Sequence, residues 1–366
     1  MDRRWDRLRK HLRYVTRYPG VMPRAAANYA RMILGQERLR GVEFALTYAC
    51  PGRCGHCSAA FLRRDDRPLL TLEEKKSVVR QCLALGALNI NLTGGECLTL
   101  PELSEVVKAC RPRRTVVSLA TNGLLLDERH CDDIARWGVS IVTVSLDSAN
   151  PTAHDAGRGI PGLFERIMRG VDLLQARGVE VFLCTILTRQ NIADGDAEAM
   201  QRLAVEKNVM LTVNLPCPVG GWAKEDVLLD EAQRAFHREF IIRPHVRWEG
   251  SSNYFRMGCP AGVEKLYLSP YGDVMPCNFL HVSYGNLRER ALADIWRDIL
   301  TRSPFNRVHD RCLIAEDTEF LRDVIEPIDQ SPRQPIPVGE HPTAAETLLR
   351  PVGAGLVSAP KQKKGD

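Results

Sequence analysis

Between residues 41 and 215, strand-length apolar runs alternate with helix-length amphipathic segments, and this recurrence narrows the choice of fold more than any other feature. Runs 42–49, 87–93, 115–120, 139–146, 179–187 and 209–215 read as six strands, and 72–85, 101–110, 127–137, 163–176 and 196–207 as the helices between them. Gly86, Gly138 and Gly178 stand where helices should stop, which suits the left-handed cap that glycine adopts without a Cβ clash. Strand–helix–strand units of this length predict a parallel sheet with right-handed crossovers. An open doubly wound sheet and an incomplete barrel both satisfy the pattern. In either case functional side chains belong at the carboxyl ends of the strands, where Cys50, Gly94, Asn122, Asp147 and Cys217 fall.

With 44% hydrophobic and 26% charged residues in 366, a wholly disordered, collagen-like or coiled-coil chain is excluded. No window reaches the ~18 uncharged apolar residues of a membrane span. The opening residues Met1, Asp2, Arg3, Arg4 and Trp5 lack an apolar signal core, so the expected location is cytoplasmic. A net charge of +5 argues against specific nucleic-acid binding, but its distribution is uneven: residues 1–40 hold eleven Lys/Arg and three Asp/Glu. Trp5, Leu8, Leu12 and Val15 recur there at near-helical spacing. Two readings stay open for this basic helical segment: peripheral contact with an anionic membrane or an acidic partner, or helices that pack on the catalytic domain. Beyond it the expected divisions are a core at 41–215, a connector at 216–258, a small cysteine-bearing unit at 259–325 and a mobile, Pro-, Gly-, Ala- and Lys-rich tail at 326–366. Within the small unit, 265–269 and 273–276 read as a hairpin turning at Pro270, Tyr271 and Gly272.

Twelve cysteines in such a chain read as metal ligands or buried thiols rather than a disulfide framework. Cys50, Cys54 and Cys57 form C-x3-C-x2-C in the loop leaving strand one, with Pro51, Gly52 and Gly55 letting the backbone bend. A closed zinc site and a protein-saturated cubane each take four ligands, so three thiolates point to an iron–sulfur cluster with one iron open. His56 as a fourth zinc ligand is the competing reading, although it is wedged between two of the cysteines.

This motif, on this strand of this repeat, resembles the radical S-adenosylmethionine (SAM) superfamily over about residues 41–215. The resemblance implies a partial six-unit (β/α) barrel, a core 4Fe-4S cluster on Cys50, Cys54 and Cys57, S-adenosylmethionine chelated to the open iron, and a reductant such as flavodoxin or ferredoxin. It further implies reductive cleavage to a 5′-deoxyadenosyl radical that takes hydrogen from an unactivated carbon. Gly94, Gly95 and Glu96 match the family's glycine-rich element, with the carboxylate expected to accept from the methionyl ammonium; Cys97 stands where relatives commonly have proline. Asn122 and Ser145 are expected at the cofactor. Arg158, in the loop before helix 163–176, either pairs with the methionyl carboxylate or is a solvated charge.

Cys259 and Cys277 flank the hairpin and Cys312 follows, an arrangement that resembles the SPASM or shorter Twitch extensions and implies one auxiliary cluster. Its fourth ligand is left open among Cys217, Glu316, Asp317 and the substrate. Cys217, at the mouth, is also a candidate hydrogen donor or a merely buried thiol, while Cys82, Cys110, Cys131 and Cys184 read as core. The expected function is hydrogen abstraction from a small molecule, a sugar, aminocyclitol or nucleotide, in a net oxidation or rearrangement. The alternatives are a maturase that crosslinks, oxidises or epimerises a ribosomally made peptide, and, in another class, an iron–sulfur electron carrier or scaffold.

Overall fold

The computed structural model describes residues 17–350 apart from 252–253, 255–257, 303, 330 and 332. Strands β1 (Gly41–Ala45), β2 (Asn89–Thr93), β3 (Val116–Thr121), β4 (Ile141–Ser145), β5 (Glu180–Ile186) and β6 (Met210–Asn214) pair in sequence order, all parallel. The linking helices, such as Leu72–Ala84 and Leu163–Ala176, fall where the amphipathic segments predict. Gly138 ends its helix at φ 81°, a conformation in which a side chain is strained.

The sheet is larger than the repeat suggests. Helix Glu231–Phe240 and β7 (Val246–Trp248) add another parallel unit beside β6, inside the expected connector. The first hairpin strand, β8 (Lys265–Leu268), pairs in parallel with β1, and β9 (Val274–Met275) returns antiparallel. The order is therefore β7-β6-β5-β4-β3-β2-β1-β8-β9. Only three residues long and carrying Arg247 at its centre, β7 has no apolar run to betray it.

Strand side chains alternate between two environments. Val42, Phe44, Ile90, Leu92, Val142 and Val144 are buried in one continuous core with the helices. Glu43, Asn91 and Ser118 share one register on the other face, and so do Ser145, Cys184, Thr212 and Arg247. That second face lines the inside of a curled sheet. The proof is an ion pair: Lys265 on β8 reaches Glu43 on β1 (2.9 Å) and Glu249 just after β7 (2.5 Å), so the sheet bends until distant strands meet. Burial pushes the Glu43 carboxyl up, while against the same burial Lys265 holds Glu249 below the usual carboxylate range.

Helix Met22–Ile33 crosses the amino end of this barrel. Val21 and Ala25 pack with Leu88, Val116 and Ile141 at the strand starts, Tyr18 donates to Glu180 (2.6 Å), and Asn28 donates to the carbonyl of Gly86 (2.7 Å). The described part of the basic segment thus packs on the core; residues 1–16, with Trp5, Leu8, Leu12 and Val15, lie outside the described residues.

The expected mobile tail is corrected as far as residue 350. Strand β11 (Ile336–Pro337) pairs with β10 (Val282–Ser283), and Ile328, Ile336 and Leu348 are buried. The tail's overall composition hides these few well-spaced aliphatic anchors. Residues 351–366 lie outside the described residues.

Candidate active site at the carboxyl end of the barrel

Cys50, Cys54 and Cys57 sit on the loop that leaves β1, and three other segments fix that loop. The first is the glycine pair after β2. A Cβ on Gly94, which adopts φ +143°, would lie 2.1 Å from the carbonyl oxygen of Thr47, and one on Gly95 would lie 2.2 Å from that of Ala49. Backbone approaches backbone there, and the amides of Gly95 and Glu96 donate to the carbonyls of Thr47 (2.7 Å) and Ala49 (2.9 Å), directly before Cys50.

Glu96 is engaged within the chain. It is fully buried, and its carboxylate accepts from the Thr121 hydroxyl (2.9 Å) and from the amides of Asn122 (2.8 Å) and Leu98 (3.1 Å). The side chain is a strut tying the loop after β2 to the end of β3. Burial pushes the carboxyl up and those N–H and O–H donors pull it down, with burial ahead. Cys97 is fully buried against the carbonyls of Leu92 and Ala120.

The second segment is the end of β3. Asn122 turns its Nδ2 to Cys50 Sγ at 3.6 Å while its Oδ1 accepts from the Leu124 amide, so it faces the sulfur. The third lies beyond β4. Arg158 belongs to the last turn of a short helix, Pro151–Arg158, rather than to a loop. It is neither solvated nor unpaired: Nε and Nη2 grip Asp147 at 2.5 and 2.6 Å, and Nη1 lies 3.6 Å from Cys54 Sγ. Burial opposes ionisation of Asp147, but Arg158 and His56 together hold its carboxyl below the ordinary value. Ser145 ends β4 half-buried, opposite Cys184 in register. Cys184, expected in the core, instead shares the interior face, with Asn214 Nδ2 at 3.4 Å.

These surroundings fit a negatively charged iron–sulfur cluster. Each of Cys50 and Cys54 receives an N–H donor, from Gly52 (3.4 Å) and Asn122 on one and from a guanidinium on the other. Gly52 lies between the two sulfurs: a Cβ there would be in van der Waals contact with Cys50 Sγ at 3.5 Å and Cys54 Sγ at 3.7 Å. Among the described residues no three Cys, His, Asp or Glu side chains close on the place of a single metal ion. A cubane asks for something different, one thiolate per iron. His56 meanwhile turns to Asp147 (3.6 Å) and the Trp222 ring.

A second group of thiols assembles beside the first. Cys217, on the loop after β6, is buried in contact with Cys312, and Cys259 and Cys277 are close enough to both for their charges to couple. The hydrogen bond between them, ahead of burial, raises the Cys217 thiol and lowers that of Cys312. Cys259 is pinned through its amide to the carbonyl of His309 (2.6 Å), which brings the Cys312 turn to it, and Cys277 follows β9. The two carboxylates weighed as ligands are engaged otherwise: Glu316 accepts from the Cys312 amide (2.8 Å) and Asp317 from that of Phe320 (3.0 Å). Four sulfurs therefore gather from four separate segments. Sequence reasoning held Cys217 only as one option, and its signal was the Cys-Pro directly after the last strand of the repeat.

The loop that carries Cys217 also touches the first site. Gly220 adopts φ +59°, and Cβ atoms on Gly220 and Gly221 would fall 2.4 Å from the carbonyl oxygen of Cys57 and 2.0 Å from that of Gly55. The Gly221 amide donates to Cys57 (2.9 Å), and Trp222 lies over His56 with ring centroids 5.5 Å apart.

Residues 44–202 match the Radical SAM superfamily model and residues 259–314 the SPASM iron–sulfur cluster-binding domain model. The chain is 28% identical over 299 residues to an AdoMet-dependent heme synthase of Methanosarcina barkeri, covering 73% of this chain and 84% of that one. It is 25% identical over 270 residues to a PqqA peptide cyclase of Ruegeria pomeroyi, covering 69% and 72%. Among solved structures, Streptococcus suis SuiB bound to its precursor peptide SuiA superposes with TM-score 0.60 at 17% identity, covering 76% of this chain and 69% of that one, a likeness of fold. An electron carrier is thereby set aside in favour of an enzyme. With its S-adenosylmethionine core and its iron–sulfur extension both matched, this chain belongs to the radical SAM superfamily as a member with a SPASM domain.

Proposed function

We propose that this enzyme oxidises a carbon of a ribosomally made peptide by hydrogen abstraction, with Cys50, Cys54 and Cys57 as ligands of the core cluster and Cys217, Cys259, Cys277 and Cys312 as ligands of one auxiliary cluster. When bound, the core cluster and S-adenosylmethionine supply the hydrogen-abstracting chemistry and the auxiliary cluster an acceptor for the second electron. The chain's own part is positional and electrostatic. Asn122 and the Gly52 amide donate to Cys50, Arg158 holds its charge against Cys54 through Asp147, and Glu96 fixes the Thr121–Asn122 corner. Gly94 and Gly95 leave no side chain between the β2 loop and the backbone of Thr47 and Ala49 that leads into Cys50, while Ser145 stands on the interior face. The observation that carries the enzymatic reading is the joining of both thiol groups by the single loop that ends at Trp222.

The substrate class rests on likeness. The PqqA peptide cyclase and the SuiB complex support a peptide over the sugar, aminocyclitol or nucleotide expected from a single auxiliary unit. A second reading, a tetrapyrrole substrate, is favoured by the heme synthase relative, which has the higher identity and coverage. Anaerobically reconstituted protein, reduced with dithionite and given S-adenosylmethionine, should be offered short peptides encoded beside its gene, a tetrapyrrole and a sugar in parallel. A peptide that loses two hydrogens as 5′-deoxyadenosine accumulates is the expected outcome. Turnover of the tetrapyrrole or the sugar, with every peptide unchanged, overturns the proposal.

A further inference from the structure

The amino end of the barrel, opposite the loop of Cys50, Cys54 and Cys57, carries a charged face that the chemistry above does not use. Arg24, Arg80, Arg111 and Arg114 line one cleft there, and no Asp or Glu is among its lining residues. Arg24 forms its floor, donating to the carbonyls of Leu83 (2.9 Å) and Ala87 (3.1 Å) and to Thr115 Oγ1 (3.2 Å), while the other three stand exposed around it. Among the described residues none of these four makes an ion pair, unlike Arg17, Arg67, Arg158, Arg177, Arg189 and Arg288. Burial, and then the charge of Arg111, lower the Arg24 pKa, as expected where positive charge is gathered without a counter-ion.

The same end presents aliphatic surface. Helix Met22–Ile33 turns Ala25 and Asn28 inward, leaving Ala26, Ala27 and Ala30 exposed, and it ends in Ile33 and Leu34, each 77% exposed. Residues 1–16 join the chain at this end through Arg17, which pairs with Glu180, and their sequence sets Trp5, Leu8, Leu12 and Val15 among six Lys/Arg and two Asp. A soluble polyanion would use the arginines and leave Ile33 and Leu34 in water. A bilayer surface uses both, with phosphates for the guanidinium groups and an acyl boundary for the side chains.

We propose that the amino end of the barrel binds the surface of an anionic phospholipid bilayer, with the exposed Arg80, Arg111 and Arg114 on headgroup phosphates, Arg24 adding positive charge beneath them, and Ile33 and Leu34 entering the acyl boundary. The carboxyl end then faces the aqueous side, open to substrate.

The test is co-sedimentation of the full-length protein with vesicles of phosphatidylcholine alone and of phosphatidylcholine with phosphatidylglycerol, at low and high salt. Binding is expected only to the mixed vesicles, weakening with salt as exposed charges are screened. R80E/R111E/R114E should lower the partition coefficient by about fivefold or more per arginine, and I33D/L34D should lower it as well. Both variants should cleave S-adenosylmethionine as the wild type does; if the triple variant does not fold by circular dichroism, the single changes R80A, R111A and R114A replace it. Wild-type protein that ignores the mixed vesicles overturns the proposal. So does I33D/L34D binding undiminished, which would leave charge alone to account for the binding and remove the acyl boundary from it. Undiminished binding by the folded arginine variants overturns it too.

Discussion

Cys50, Cys54 and Cys57 leave a single strand within eight residues of one another, whereas Cys217, Cys259, Cys277 and Cys312 are drawn from four segments spread over nearly a hundred residues. The first group keeps Cys50 exposed at the barrel mouth with its partners half-buried; the second buries Cys217 and packs the other three around it. Three thiolates leave a corner of a cubane for an outside ligand, and four close it. The local group can be reached by S-adenosylmethionine, and the distributed one exists only once the chain has folded around it. The contrast suggests a division of labour, with chemistry at the open site and electron storage or substrate support at the closed one.

The sharpest way to break that contrast is to remove each group in turn. Replacing Cys50, Cys54 and Cys57 together with alanine should abolish 5′-deoxyadenosine formation while iron at the second site remains; undiminished cleavage would refute the division. Replacing Cys217 and Cys259 should do the converse. Iron content is expected to fall by roughly half if both clusters are cubanes, product formation should drop sharply, and uncoupled deoxyadenosine release should persist. Full iron loading in the folded C217A/C259A protein would remove Cys217 from the ligand set.

Smaller changes probe the loop between the groups. G221A places a Cβ 2.0 Å from the carbonyl oxygen of Gly55, a backbone atom that must shift, and should cost about 1–3 kcal/mol of stability. G55A is its control. Nothing lies within 4 Å of the added methyl, so a thermal melt should register less than about 0.5 kcal/mol. If the two melt alike, the loop's close approach is not what holds the sites together. E96Q is expected to lose about 1–3 kcal/mol because an amide NH2 would face the Asn122 or Leu98 amide that the carboxylate now accepts from. Retained deoxyadenosine formation in that variant would mark Glu96 as a strut, and a large rise in the S-adenosylmethionine concentration needed for turnover would return it to cofactor contact.

Local chemistry was legible in the sequence and long-range convergence was not. The C-x3-C-x2-C loop, the six strands and the capping glycines each depend on neighbours within a few residues, and each stands where periodicity and spacing place it. The closure of the Cys217 group depends on how β7, the hairpin and the Cys312 turn come together, which no local pattern encodes. Glu96 and Arg158 show the same limit at one residue. Sequence identified them as charged groups near the mouth, but their partners, Thr121 with Asn122 and Asp147, lie 25, 26 and 11 residues away. Lys265 was missed altogether, since its meaning rests on Glu249 arriving from beyond β7, at the far end of the sheet order, to join Glu43 on the neighbouring β1.

The short passage from Cys217 to Trp222 bears on how the protein matures. One end reaches the closed thiol group, and the other is locked by glycine contacts to the carbonyls of Gly55 and Cys57. Iron seated at either end would therefore restrain the backbone at the other, so metal delivery to the two sites should be cooperative rather than independent. Partial loading should yield mostly empty and fully loaded molecules, with few carrying a single cluster, which native mass spectrometry during anaerobic reconstitution can count.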